Sequence, residues 1–184
     1  MKLVGVIGEP ATGKTALMRV VLARLGQAYT PFKFGKLLYG RQYPGSLYVL
    51  GIYVGAETFG GTDRLSMAVQ PVAIRFLRNL APKRAIVVFE GDRLTRAGFL
   101  GAARSVKLFL VETSSAEKAR RHRARGDTQS PRFHRSRATL ISRIARAFPV
   151  ERLSNETDAD LLVNAARIVR EIQPHAAPRQ PHGA

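Results

Sequence analysis

Gly8 through Thr15 read GEPATGKT and satisfy the pattern G-x-x-x-x-G-K-[ST] in full. The glycines let a run of backbone N–H groups wrap an anion. A helix starting at the lysine points the positive end of its dipole at the same spot. Such a loop needs a strand before it and a helix after it, and the sequence offers both. KLVGVIG, from Lys2, is a short apolar run closed by glycine, as a buried parallel strand requires. Beyond the loop, Leu17, Val20, Val21, Leu22 and Leu25 recur at helical spacing, and Gly26 follows as a stop. Gly8, Glu9, Pro10, Ala11, Thr12, Gly13, Lys14 and Thr15 are therefore the candidate residues for a nucleoside triphosphate such as ATP. Lys14 is placed to reach the β- and γ-phosphates, and the Thr15 hydroxyl to ligate Mg²⁺. The alternative is a glycine-rich turn that binds nothing; the flanking strand and helix argue against it.

The rest of the chain alternates strand and helix patterns. Residues 29–49 are rich in aromatic and β-branched residues punctuated by Pro and Gly, which predicts a β-rich insert with a hairpin, and LYVLGIYV reads as a second core strand. AIVVFE and VKLFLVE are further buried strands, VERL a last one. AIRFLRNL and DADLLVNAARIVREI have helical periodicity. The expected architecture is an α/β three-layer sandwich, a central parallel sheet of about five strands with helices on both faces. One domain is expected over 1–173. Residues 174–184 lack apolar periodicity and read as a disordered tail.

Ligands of parallel sheets sit beyond the carboxyl ends of the strands. Glu90 and Asp92 end AIVVFEGD there. Either carboxylate is a candidate for Mg²⁺ or its water shell, or else a cap for the next helix. Asp63, in GGTDRLS, is a candidate general base for an attacking hydroxyl, or an N-cap. The paired glycines before it suggest a backbone brought close to a ligand. Arg64 is a candidate for a substrate phosphate, or a partner for Asp63.

Charge narrows the acceptor. Thirty Lys and Arg against thirteen Asp and Glu give +17, an excess that suits a polyphosphate partner, a solubilising surface being the bland explanation. From Glu117 to Arg146 there are ten Lys or Arg and two acids. Gly126, Asp127, Ser130 and Pro131 break this basic segment into helix, loop and helix. The segment, about 114–148, reads as a basic lid over the site. Arg120, Arg121, Arg123 and Arg125 are candidates to meet charge on a transferred phosphoryl group. On the second helix Leu140, Ile141, Ile144 and Phe148 share an apolar face; Arg132, Arg135, Arg143 and Arg146 form a separate stripe, free to meet a nucleic-acid backbone. Arg132, Arg135 and Arg137 are candidate substrate contacts, Arg137 falling among apolar positions. Phe32, Phe34, Tyr39, Tyr43 and Phe59 are either core residues or platforms for an extruded base. The chain has no cysteine, which excludes a thiolate nucleophile and fits a cytoplasmic setting, and no apolar run long enough to span a membrane.

GEPATGKT, the acid-bearing loop at Asp63, VVFEGD and the arginine-rich segment together resemble the P-loop nucleoside, nucleotide and polynucleotide kinases over most of the chain. FGGTDRLSMAVQP and VFEGDRL are more narrowly similar to the phage 5-hydroxymethyluracil DNA kinases. That resemblance implies ATP and Mg²⁺ at Lys14 and Thr15, Asp63 near the acceptor hydroxyl, Glu90 or Asp92 on the metal side, and arginines near the γ-phosphate. It implies transfer to a hydroxymethyl base in modified duplex DNA, in a host cytoplasm; a kinase of free nucleosides or nucleotides, or a DNA-binding ATPase, are the alternatives. The turn near VERLSNETDADL would flank the adenine, as in related kinases.

Overall fold

The computed structural model describes residues 1–54, 60–126 and 128–173; the expected tail, Phe59 and Asp127 lie outside them. Seven strands form one sheet in the order β2-β3-β4-β5-β1-β6-β7: β1 Lys2–Ile7, β2 Thr30–Phe34, β3 Leu38–Tyr43, β4 Leu47–Leu50, β5 Ile86–Glu90, β6 Ser105–Glu112 and β7 Val150–Ser154. The pairs β4–β5, β5–β1, β1–β6 and β6–β7 are parallel, so the parallel core has five strands. Two more than expected come from the 29–49 insert. Its hairpin extends the sheet: β2 pairs antiparallel with β3, and β3 with β4. The physical reason is aromatic. Phe32 stacks on Phe76 at 5.3 Å and meets Tyr48 edge-on at 5.7 Å, and Phe34 packs on Phe76 at 5.3 Å. Tyr43 is buried against Tyr29. These rings are core, which removes Phe32, Phe34 and Tyr43 as base platforms. The expected strand LYVLGIYV is also shorter than its apolar run, ending at Leu50 before Gly51, whose φ is 111°.

Side chains alternate across the sheet with period two. Leu3, Ile7, Val87, Phe89, Leu108 and Leu110 point to one face, under α2 (Val69–Leu80), α3 (Ala97–Leu100) and α5 (Pro131–Ala147). Val4, Val6, Val88, Phe109 and Val111 point to the other, under α1 (Lys14–Leu25) and α6 (Asp158–Ile172). The basic segment folds as expected into a helix, α4 (Ser115–Ala124), a loop and α5. The apolar stripe of α5 places Ile141 and Ile144 in the core, so its C-terminal half belongs to the helical layer. No described helix is long and apolar enough to cross a membrane.

Gly5 lies at the middle of β1. A Cβ there would stand 2.6 Å from the Phe89 ring and 2.7 Å from Leu108 Cδ2, so those two side chains occupy the space that a methyl would need. Gly5→Ala is expected to destabilise the fold by about 1–3 kcal/mol, read as a lowered midpoint of urea unfolding with the slope unchanged.

Candidate active site

The loop after β1 carries two departures from ordinary backbone. Ala11 sits at φ 64°, in the left-handed region. Gly13, at φ 91°, begins α1, and a Cβ on it would collide with Asn155 Nδ2. Asn155, at the end of β7, donates to the Thr12 carbonyl at 2.9 Å and so ties the loop to the far side of the sheet. The Lys14 ammonium is almost fully buried; it donates to the Gly8 carbonyl at 2.9 Å and the Glu9 carbonyl at 2.8 Å. The Glu9 side chain turns away and accepts from Lys118 of α4 at 2.9 Å.

Glu90 closes the floor. The Thr15 hydroxyl donates to its Oε1 at 2.9 Å, the Tyr53 hydroxyl to its Oε2 at 3.2 Å, and the Thr62 hydroxyl to its backbone carbonyl at 2.6 Å. A Cβ on Gly61 would collide with the Glu90 carboxylate, and one on Gly60 would stand 2.9 Å from the Thr15 methyl. The paired glycines thus make room for protein groups. Burial raises the Glu90 carboxyl to about 7, opposed first by the Lys14 charge. Burial also raises Asp92, with Lys14 opposing and the Asp63 charge adding. The sign for stability follows from linkage. Unfolded Glu90 ionises near 4.5 and folded Glu90 near 7, so the folded state holds the extra proton between those values. Stability contributed by protonated Glu90 is full below about 4.5 and is lost as pH rises to 7, at most roughly 3 kcal/mol. Glu90→Gln is expected to flatten that slope in urea titrations between pH 5 and about 7.5; an unchanged slope assigns it to other groups.

Neither acid caps a helix: the residue preceding α3 is Arg96, which makes no side-chain cap bond. One oxygen of Asp92, Oδ1, is buried with no hydrogen-bond partner. Lys14, Thr15, Glu90 and Asp92 line one cavity of about 300 Å³. Among the described residues no cluster of three or more acidic, His or Cys side chains forms a metal cage. The donor set suits Mg²⁺ as it is usually held, by one or two carboxylates with substrate phosphates completing the shell. Thr15, Glu90 and Asp92 fit that role.

Asp63 lies in a single 3-10 turn, Thr62–Arg64, whose cap uses no side chain. Its Oδ1 accepts from the backbone N–H of Asp92 at 2.9 Å and of Arg93 at 3.2 Å. The carboxylate is therefore pinned to the end of β5, at a wall shared by the phosphate-loop cavity and a second cavity of about 420 Å³. A third cavity, about 270 Å³, lies beyond Gly13 and is walled by Asn155, Glu156 and Thr157 of the β7–α6 turn.

The arginines separate by position. Arg125 lines both the phosphate-loop cavity and the third cavity. Arg120 lines the third cavity but is forked on Glu117 at 2.7 and 2.6 Å, and that pairing, followed by Arg121, lowers Glu117 to about 2. Arg121 reaches the Asn155 carbonyl at 2.8 Å and the Ala11 carbonyl at 3.4 Å. Arg123, Arg64, Arg132 and Arg135 are exposed and line none of these three cavities. Arg137 lies 3.7 Å from Asp92 and over the Phe133 ring at 4.9 Å, in the second cavity. That cavity also takes Arg93, Arg96 and Phe133, which sequence reasoning missed although Arg93 directly follows Asp92 and Arg96 comes three residues later. Asn155 entered only as part of the turn near VERLSNETDADL, and Tyr53 was missed, with nothing local to mark it.

No protein-family model matches the chain, and no curated protein does. Among solved structures, a gluconokinase from Sinorhizobium meliloti 1021 aligns over 96% of this chain and 98% of its own, at 13% identity and a TM-score of 0.42. A likeness so weak says nothing about the reaction or the acceptor of this chain.

Proposed function

We propose that the chain is a kinase that moves the γ-phosphate of ATP to a hydroxyl of a small, nucleoside-sized acceptor. The observation that carries this reading is Asp63, fixed by two backbone N–H groups at the wall between the phosphate loop and a second cavity. An acceptor hydroxyl in the second cavity gives its proton to Asp63 as its oxygen attacks the γ-phosphorus. The bond from that phosphorus to the bridging oxygen breaks, and ADP leaves. Lys14 and the N–H groups at the start of α1 hold the phosphates, and Arg125 meets charge on the moving group. Thr15, Glu90 and Asp92 would hold Mg²⁺, whose contribution when bound is to neutralise charge on the phosphate oxygens. The third cavity takes the adenine. The lid narrows to α4 and the loop leading to α5, because the C-terminal half of α5 is core; Arg120 and Arg123 ride on α4.

A second reading keeps the donor chemistry and sets the acceptor in DNA, as the hydroxymethyl group of 5-hydroxymethyluracil in a modified phage duplex. The net charge of +17 favours it, with Arg132 and Arg135 exposed to meet a backbone. The test is transfer of labelled γ-phosphate to free nucleosides and nucleotides and to hydroxymethyluracil DNA. Label on the small acceptors supports the first reading. Label on DNA alone replaces it with the second, and release of inorganic phosphate alone makes the chain an ATPase.

A further inference from the structure

The second cavity brings three guanidinium groups together beside two carboxylates. Arg93, Arg96 and Arg137 line it together with Phe133, Gln70 and Met67, and its two carboxylates, Asp63 and Asp92, also line the phosphate-loop cavity. Two of the guanidinium groups are incompletely matched. Among the described residues, Nε of Arg93 and Nε of Arg137 are buried with no hydrogen-bond partner. Arg93 otherwise gives one terminal nitrogen, Nη2, to a neutral group, the Asp63 carbonyl, at 2.8 Å. Arg137 reaches its carboxylate neighbour Asp92 only at 3.7 Å. Those two nitrogens have almost no surface on the cavity, so what Arg93, Arg96 and Arg137 offer a ligand there is the rest of their guanidinium groups. A neutral sugar or nucleoside leaves these charges unmatched. A carboxylate presents two coplanar oxygens and fills one guanidinium fork. A phosphate monoester, doubly charged and rich in acceptors, matches the planar forks of several arginines at once.

We propose that the acceptor arrives already carrying a phosphate monoester, held by Arg93, Arg96 and Arg137, and that a separate hydroxyl of the same molecule faces Asp63. This inference rests on the kinase reading and specifies its substrate class. In the step itself the hydroxyl proton passes to Asp63, the hydroxyl oxygen bonds to the γ-phosphorus, and the nucleoside diphosphate leaves. The product therefore carries two phosphate groups at different positions. The reaction that supplies such a substrate is itself a phosphorylation, or the release of a monophosphate from a larger phosphodiester.

The experiment uses the full chain with ATP labelled at the γ-phosphate and matched acceptor pairs: nucleosides and their monophosphates, and sugars and their phosphates. Expected is a kcat/KM at least about 100-fold higher for the phosphorylated member of one pair, as two or more charge-assisted contacts imply. Inorganic phosphate is expected to compete with that acceptor and not with ATP. Arg93→Gln and Arg96→Gln should each raise its KM about 10- to 100-fold and leave the KM for ATP unchanged. Arg93 also bonds the Asp63 carbonyl, so the Arg96 variant, which removes no such bond to the Asp63 loop, keeps the test valid if the Arg93 variant misfolds. Equal use of both members of every pair overturns the inference and leaves the kinase reading standing. Label entering only DNA, whose phosphates are diesters, overturns the monoester assignment. Release of inorganic phosphate with no labelled organic product overturns the kinase reading and this inference with it.

Discussion

Asp63→Asn is expected to lower the rate of phosphoryl transfer roughly 10²- to 10⁴-fold while ATP affinity changes by no more than about twofold. The size is that of losing a positioned general base. The side chain's structural task survives the change, because the amide oxygen of the variant can still accept from the backbone N–H groups of Asp92 and Arg93, as Asp63 Oδ1 does at 2.9 and 3.2 Å. Thermal unfolding should therefore move little, and the loss should fall on kcat. Nucleotide affinity is the control, since Asp63 lines the phosphate-loop cavity at the wall shared with the second cavity. If the Asp63→Asn variant supports transfer at the native rate, the carboxylate is only a pin for the loop after β5 and another group accepts the proton.

The second large effect concerns Lys14. Lys14→Met is expected to weaken ATP binding at least about tenfold and to cut transfer by about 10³-fold, because in the proposed reaction the lost ammonium is the fixed charge that meets the phosphates. The same cation acts on the acids. Its charge is the largest influence opposing the upward shift of both Glu90 and Asp92. Removing it should push the Glu90 carboxyl above its value of about 7, and the fall in stability with rising pH should extend further up the scale. A calorimetric titration of ATP and a pH series of urea midpoints read the two consequences separately. An unshifted pH series would show that Lys14 does not set the charge state of the carboxylates, whatever happens to ATP.

The strand, glycine loop and helix around Lys14 were legible because everything they need is local in the chain: an apolar run, the glycines, and helical spacing with its stop. The ends of the strands were legible for the same reason, since a carboxylate after AIVVF is necessarily at the carboxyl edge of a parallel sheet. Asp63 was found with its alternative still open; only contact with the backbone of Asp92 and Arg93 shows that it caps no helix. Arg64, its neighbour, was chosen for adjacency in sequence, whereas the arginine that meets the Asp63 backbone is Arg93, far along the chain. The aromatic insert stayed open between core and base platform because composition does not distinguish a ring laid on Phe76 from one offered to a base.

By itself the sequence determined the local chemistry: a strand, a loop of backbone donors and a helix in that order, acids at a strand end, and a long basic helix with one apolar face. Those follow from periodicities and backbone conformations that neighbouring residues set among themselves. Tertiary structure alone decided which distant groups share a wall. It set Asn155 against Gly13, Glu90 on Thr15, and Arg93, Arg96 and Arg137 around one cavity. The reason is that strand order and the seating of helices are fixed by which apolar faces bury one another, so neighbours across the sheet are chosen by the whole core and by no segment of it.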